Sequence, residues 1–303
     1  MKIVIAGGSG FLGRPLVAAL LHDGQSVAVL SRSAHTRVAP GARAVAWDPE
    51  ASSGAWAAEI DGAGAVINLA GEPIASRRWS AGQKRRIDQS RTAATRAIAR
   101  AIGAAKAPPG VLISGSGVGY YGPCGDEIVT EETPPGADFL ATVCRHWEGE
   151  AAAAATAHTR VVCIRTGLVL ERDGGALPKM LPPFQVGAGG RVGSGRQYWP
   201  WIHRQDWIDL VRFALQTPSL SGPLNATAPE PVTNAAFART LGRALRRPAV
   251  MPAPAFAMRL LLGEMADALL LSGQRALPAA AERHGYTFRY RELDAALAAL
   301  FQR

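Results

Sequence analysis

Residues 2–13 read KIVIAGGSGFLG, and this stretch decides the class of fold. After Lys2 its first part is a short, largely β-branched apolar run, as in a strand buried on both faces of a parallel sheet. Glycines follow at positions 7, 10 and 13, and residues 11–21 have the length and apolar content of a helix. A second apolar run at residues 26–30 completes a strand–helix–strand unit of about thirty residues.

The same alternation continues along the chain. Apolar runs predict further strands at residues 42–46, 65–69, 111–114 and 161–165, and helical stretches lie at about 80–105 and 138–157. This order predicts an α/β fold, a doubly wound parallel sheet of the Rossmann type. The chain turns helical after Pro229, which predicts a Rossmann domain at residues 1–228 and a small, mostly helical C-terminal domain at residues 229–303.

Two later segments carry local predictions. Residues 171–200 are rich in Gly and Pro and lose the alternation, so we expect a long loop that acts as a lid or contacts substrate. Residues 256–271 are rich in Leu and Met, so we expect a helix whose apolar stripe packs in the protein core rather than against a cofactor.

Composition narrows the class of protein. Hydrophobic residues make up 48% of the 303 and charged residues 19%, which excludes collagen-like and disordered chains. The 33 Lys and Arg exceed the 24 Asp and Glu by nine, but only four of these bases are lysines, and the chain is rich in Ala, Arg, Gly and Pro throughout. We interpret the positive charge as a compositional bias and expect no nucleic-acid partner.

Cysteine content and hydropathy predict the compartment. Cys124, Cys144 and Cys163 are odd in number and form no Cys-x-x-Cys pair, so we expect neither a disulfide framework nor a metal site. The first apolar run is too short for a signal peptide, and no stretch reaches 18 uninterrupted apolar residues. We therefore expect a cytoplasmic protein without a membrane partner, and a homodimer is left open as its assembly.

The glycines at positions 7, 10 and 13 lie between a predicted strand and a predicted helix, and in that context they favour dinucleotide binding. Gly7 allows the tight turn, Gly10 lets the backbone approach a pyrophosphate, and Gly13 allows close packing of helix on strand. The free N–H groups at the start of the helix then favour phosphate oxygens.

The end of the second predicted strand indicates which dinucleotide. An NAD site usually has an acidic residue there, which binds the ribose 2′-hydroxyl. Residues 24–47 contain no Asp or Glu, and Arg32 and Arg37 follow the strand instead. A guanidinium at this position binds a 2′-phosphate through charge-assisted hydrogen bonds, so we predict NADP(H) as the cofactor. The alternative is that Arg32 is a solvated base of the loop.

These motifs resemble the short-chain dehydrogenase superfamily, and specifically its extended, sugar-nucleotide-epimerase-like branch. The similar segments are residues 7–13 (GGSGFLG), 68–71 (NLAG), 120–122 (YYG) and 165–170 (RTGLVL). Other stretches, at residues 68–74, 139–148 and 193–203, resemble an atypical subgroup of epimerase family proteins with a small C-terminal domain of unknown function. The resemblance covers essentially the whole chain and implies these cofactor contacts: Gly7, Gly10, Phe11, Leu12, Gly13, Arg32, Asp48, Leu69, Ala70, Gly71, Glu72, Arg165 and Leu168.

The superfamily's usual catalytic pair, Tyr-x-x-x-Lys, is absent from this sequence. That spacing puts a lysine ammonium one helical turn from a tyrosine, whose phenol then exchanges a proton with the substrate oxygen. None of the five tyrosines has a lysine four positions later. An alignment anchored on Glu150 places Thr142 and His146 at the Tyr and Lys positions. Standard epimerase or dehydratase activity is therefore disfavoured.

Four other residues are candidate catalytic groups. Ser116 and Tyr120 follow the fifth predicted strand, at the sheet edge where open α/β sheets bind ligands. Cys144 lies on the next helix, four positions before Glu148, and His203 follows the loop at residues 171–200. The structural alternatives are a small buried residue for Cys144 and the first residue of a helix for His203.

Two functions stay open at this point. The first is an NADP(H)-dependent oxidoreductase or epimerase-like enzyme acting on an unknown small polar substrate, which the segment at residues 165–170 favours. The second is a non-catalytic NADP(H)-binding regulator, like the cell-division-inhibitor-like members of the resembled subgroup, which the absence of Tyr-x-x-x-Lys favours.

Overall fold

The computed structural model describes residues 1–50 and 54–301. The described strands are β1 (Lys2–Ala6), β2 (Ser26–Ser31), β3 (Arg43–Ala46), β4 (Ala65–Asn68), β5 (Val111–Gly117), β6 (Ile128–Val129), β7 (Arg160–Thr166), β8 (Leu168–Leu170), β9 (Tyr198–Trp199), β10 (Trp201–His203), β11 (Gly222–Ala226), β12 (Val232–Thr233) and β13 (Arg275–Ala276).

The helices lie between these strands and after them. They are α1 (Gly13–His22), α2 (Ala81–Ala104), α3 (Phe139–Ala152), α4 (Leu177–Gln185), α5 (Arg204–Gln216), α6 (Asn234–Leu245), α7 (Ala255–Leu262), α8 (Glu264–Ala266), α9 (Ala279–Arg283) and α10 (Leu293–Phe301). Local sequence fixes the starts of α2 and α3, because Ser80 and Asp138 accept backbone N–H groups of the first turns of these helices.

A parallel sheet of seven strands forms the centre, in the order β11-β7-β5-β4-β1-β2-β3. The chain runs outward from β1 to β2 and β3 on one side and then crosses to β4 on the other. The predicted doubly wound Rossmann sheet is therefore confirmed. A sheet of this kind binds ligands at the carboxyl ends of the strands where the order reverses, which here is the crevice between β1 and β4.

Apolar clusters cover both faces of the sheet. On one face α1 and α5 contribute Leu16, Val17 and Trp207, and on the other α2 and α3 contribute Ile98 and Ala151. Residues 3–6 of β1 and all of β4 are buried because both faces are covered.

A third cluster joins the end of the chain to the region after the sheet. It brings Phe237 of α6 and Leu297 of α10 against Leu177 of α4 and the indoles of Trp199 and Trp201. The two-domain division at residue 228 stays a prediction, since this cluster draws on both sides of that boundary.

Two local predictions are wrong in part. Residues 171–200 contain the helix α4, because its apolar residues Leu177 and Phe184 pack into the third cluster in spite of two prolines inside the helix. Residues 256–271 form α7, α8 and a π-helical turn (Asp267–Leu271), but no residue of α7 is buried, and Phe256 and Leu260 are 73% and 78% exposed. The pattern indicated the helix correctly, but Phe256 and Leu260 of its apolar stripe lie at the surface and not in the core.

Candidate functional site

The turn between β1 and α1 has the geometry of a phosphate-binding loop. Gly7 has φ +79°, and a Cβ there would lie 2.7 Å from the backbone of Leu69. A Cβ on Gly13 would lie 2.2 Å from the carbonyl oxygen of Gly7, so the helix starts in direct contact with the turn. Gly10 is exposed, and its amide donates to the Gly7 carbonyl at 3.0 Å. Side chains are absent where a nucleotide's phosphates would lie, so the loop fits a dinucleotide.

The loop at residues 171–200 reaches this turn. Glycines 174 and 175 pack on the ring of Phe11, where a Cβ would come as close as 2.5 Å, and the Arg204 guanidinium lies 5.4 Å from the same ring. Leu12 precedes α1 and is half-buried beside it. The expected lid segment therefore contacts the glycine loop directly.

The end of β2 is open and positively charged. Arg32 follows β2, is exposed, and makes no hydrogen bond or ion pair with the residues that the structure describes. Asp48, another predicted contact, lies just beyond β3 at the same edge of the sheet, and its carboxylate accepts the Glu50 amide at 2.9 Å. A free guanidinium at this edge suits a 2′-phosphate.

The segment after β4 lines the opposite wall of the crevice. Asn68 accepts the Ala70 amide at 3.1 Å and donates to Thr95 of α2 at 2.8 Å, which fixes the turn at residues 69–71. Gly71 is exposed, and the Glu72 amide donates to Ser90. The predicted contacts at residues 69–72 are thus brought next to the glycine loop.

A hydrogen-bonded charge pair lies at the carboxyl ends of β5 and β7. Ser116 and Arg165 are register neighbours on these strands. Glu148 of α3 reaches between them: Ser116 Oγ donates to Glu148 Oε1 at 2.6 Å, and Arg165 donates to both Glu148 oxygens at 2.8 Å. Burial disfavours the Arg165 cation, but the hydrogen bonds and charge interactions with Glu148 and Tyr121 together outweigh burial, so the pKa of Arg165 lies above its ordinary value.

Two tyrosines flank this pair in different ways. Tyr121 is buried, its hydroxyl donates to Asn225 at 2.7 Å and accepts from Arg165 at 3.0 Å, and burial raises its pKa to about 12. Tyr121 therefore acts as structural packing. Tyr120 is half-buried, with the Arg165 guanidinium 3.4 Å from its ring centroid, and among the described residues its hydroxyl has no hydrogen-bond partner. Of the two, Tyr120 has the free phenol.

Cys144 shares the helix of Glu148 but differs in chemistry. Its thiol is buried and donates to the Gly117 carbonyl at 3.6 Å. Burial raises its pKa to about 11, which keeps the thiol protonated near neutral pH. These contacts favour the structural alternative for Cys144. The Glu150-anchored alignment also fails to place a pair in the crevice, because His146 is exposed and bonds Asp88 of α2.

His203 lies in a different cluster from Ser116 and Tyr120. It precedes α5, where its Nδ1 accepts the Gln205 amide at 3.1 Å, and its ring stacks on Tyr290 at 4.1 Å. Together with Glu171 and residues of α10 it lines a cavity of about 470 Å³. Burial lowers the pKa of His203 to about 4, so the imidazole is neutral. These contacts match the structural alternative for His203, the start of a helix. Leu168, a predicted cofactor contact, is half-buried on β8, the strand that pairs with β10.

Two groups at the site were not singled out by the sequence reasoning. Glu148 entered it only as the residue four positions after Cys144, and Arg91 of α2 did not enter it. A signal existed for both, because Arg165 interrupts an apolar strand and so requires a buried partner, and Arg91 follows Ile87 by four residues on the apolar stripe of its helix.

The fold and this site define a dinucleotide-binding protein of the Rossmann class. Among the described residues no group of His, Cys, Asp and Glu is arranged to hold a metal ion, and no helix has the length and apolar content to span a membrane. The chain belongs to the NAD dependent epimerase/dehydratase family, whose model matches residues 3–226, and a model of a domain of unknown function matches residues 253–300.

Similar proteins match nearly the full chain. An epimerase family protein of Mycobacterium leprae is 42% identical over 97% of this chain and 94% of its own. A chloroplastic homologue from Arabidopsis thaliana is 42% identical over 100% of this chain and 87% of its own. The crystal structure of a human epimerase family protein with NADPH superposes with a TM-score of 0.91 at 36% identity, covering 100% of both chains.

Proposed function

We propose that this protein binds NADP(H) in the crevice between β1 and β4 and acts as an oxidoreductase or epimerase-like enzyme on a small polar substrate. The observation that carries the proposal is the joint placement of a side-chain-free glycine loop and the Ser116–Glu148–Arg165 chain at the carboxyl edge of one sheet. The human relative crystallised with NADPH supports the choice of cofactor. Three free cysteines agree with a reducing, cytoplasmic setting.

The cofactor when bound supplies or accepts a hydride, and the protein has to move the accompanying proton. Ser116 Oγ already donates to Glu148, so its lone pairs can accept a hydrogen bond from a substrate hydroxyl. A substrate proton would pass to Ser116 as the serine proton passes to Glu148. Arg165 holds the Glu148 carboxylate in place with two hydrogen bonds. Tyr120, whose ring lies against the Arg165 guanidinium, is the second candidate for proton transfer.

Cofactor choice is tested by calorimetric titration with NADPH and NADH. We expect wild type to prefer NADPH by at least about tenfold, because a charge-assisted bond to a phosphate contributes about 1.5–3 kcal/mol. Arg32→Ala should remove the preference. Arg100→Ala, which deletes another exposed arginine at the far end of α2, should keep it. Equal affinity of wild type for both nucleotides contradicts the role of Arg32.

Turnover separates the enzyme from the regulator. A panel of carbonyl substrates is screened by NADPH absorbance, and we expect Ser116→Ala to lower turnover by about 100-fold or more while NADPH affinity stays unchanged. The regulator alternative rests on the missing Tyr-x-x-x-Lys. The regulator alternative gains support if wild type binds NADPH but none of the panel substrates leads to NADPH oxidation.

A further inference from the structure

Arg91 is a buried cation in the middle of α2. Only 7% of it is exposed, and it lies one turn after Ile87 and one turn before Thr95 on the buried face of the helix. An arginine side chain stays charged in proteins, and buried charges are rarely found without a partner. Its surroundings therefore need an explanation.

No carboxylate of the described residues pairs with Arg91. Its Nη1 donates to the carbonyl oxygens of Glu72 at 3.0 Å and Ile87 at 2.9 Å, and its Nε and Nη2 make no hydrogen bond with the described residues. The nearby carboxylates are engaged elsewhere, since Glu72 accepts from Gln83 and Asp88 bonds His146. Burial is the largest influence on Arg91 and lowers its pKa.

The unbonded edge of Arg91 is not sealed inside the protein. Within the described residues, the fully enclosed polar side-chain atoms without a partner are all tryptophan nitrogens. The unbonded Nε and Nη2 of Arg91 are not among these enclosed atoms. The guanidinium lies against Gly71, where a Cβ would be 3.1 Å from its Cζ, and 5.0 Å from the ring of Trp147, which also covers Gly115 of β5. Arg91 thus stands where the carboxyl ends of β4 and β5 meet, beside the exposed Gly71.

We propose that Arg91 binds an oxyanion of the substrate, a carboxylate or a phosphate, at the carboxyl ends of β4 and β5, beside the crevice between β1 and β4. The two backbone carbonyls and the Trp147 ring hold the guanidinium plane fixed, and its low-dielectric surroundings strengthen charge-assisted bonds to the free nitrogens. This inference rests on the proposed function and narrows it: the substrate is a small carbonyl or alcohol that also carries an anionic group.

The test titrates the NADP⁺-saturated protein with three probes: malonate, inorganic phosphate and the neutral malonamide. We expect malonate or phosphate to bind wild type, and Arg91→Gln to weaken that binding by about tenfold or more. Arg91→Lys keeps the charge without the planar fork of donors, so its affinity for the anion should lie between those of wild type and Arg91→Gln. Arg85→Gln is the matched control, since it deletes an exposed arginine of the same helix and should bind like wild type.

Each outcome bears on one statement. If wild type binds malonate more tightly than phosphate, the anionic group of the substrate is a carboxylate; if it binds phosphate more tightly, the group is a phosphate. Equal binding of the anions by wild type, Arg91→Gln and Arg91→Lys overturns the proposal, as does wild type that binds neither anion more tightly than malonamide. If Arg91→Gln loses affinity for NADP⁺ and Arg85→Gln does not, then Arg91 binds an anionic group of the cofactor and not of the substrate. This result also overturns the proposal. Failure of wild type to bind either nucleotide refutes the proposed function instead.

Discussion

Replacing Glu148 by Gln should destabilise the protein far more than replacing Glu150 by Gln. Both glutamates lie on α3 and both make two-nitrogen contacts to an arginine, Glu148 to Arg165 and Glu150 to Arg96. The environments differ: the Arg165 side chain is 3% exposed and the Arg96 side chain 48%. The pair of variants therefore isolates the effect of burial on an ion pair.

The magnitude follows from these exposures. Removing one charge of a buried pair costs about 3–5 kcal/mol, because the other charge is left without compensation in a medium of low dielectric. Glu148 is 15% exposed, and glutamine keeps one oxygen for Ser116, so we expect a loss of about 3 kcal/mol for Glu148→Gln. An exposed pair contributes about 0–1 kcal/mol, which is the loss expected for Glu150→Gln.

Urea unfolding measures the difference. With an m-value of about 3 kcal/mol/M, the midpoint of Glu148→Gln should fall about 1 M below wild type, and that of Glu150→Gln by no more than about 0.3 M. Unchanged m-values confirm that the variants differ in stability alone. Midpoints of the two variants within about 0.2 M of each other refute the reasoning, because Arg165 would then have found solvent or another partner.

Two further predictions concern the glycine loop and His203. Gly13→Ala should lower NADPH affinity by about tenfold or more in calorimetry, because its Cβ meets only backbone, whereas Gly103→Ala, with open space around it, should bind normally and gain about 0.5–1 kcal/mol of stability. Burial lowers the pKa of His203 from 6.5 to about 4, so its contribution to stability is complete above about pH 6.5 and falls by up to roughly 3 kcal/mol toward pH 4. Urea midpoints across this range should show a shallower fall for His203→Asn, which keeps a capping side chain, and an equal fall in both proteins contradicts the buried, neutral imidazole.

The sheet and the glycine loop were predictable from local patterns. Apolar runs of strand length alternating with helical stretches gave the parallel sheet, and the helix expected at about 80–105 is observed as Ala81–Ala104. The positions of Gly7 and Gly13 between strand and helix placed the turn correctly, since its backbone geometry depends on residues adjacent in sequence.

The reaction side of the site was predictable only in part. Ser116 and Tyr120 lie at the end of β5 as expected, but the pairing of Glu148 with Arg165 joins a helix to a strand 17 residues further on. Spacing along one helix placed Glu148 one turn from Cys144, but its hydrogen-bond partners in the structure are Ser116 and Arg165. The packing of α3 against β7 decides this contact, and no local pattern specifies how the two elements pack.

The sequence by itself determined the fold class, the glycine turn and the absence of an acidic residue after β2, because each of these features depends on residues that are close together in the sequence. Tertiary structure alone decided which faces are covered: α7 has an apolar stripe and stays exposed, whereas Arg91, a cation, is buried against Trp147. Periodicity shows that one face of a helix differs from the other. What packs on that face depends on contacts between segments distant in sequence, and those contacts form only in the folded chain.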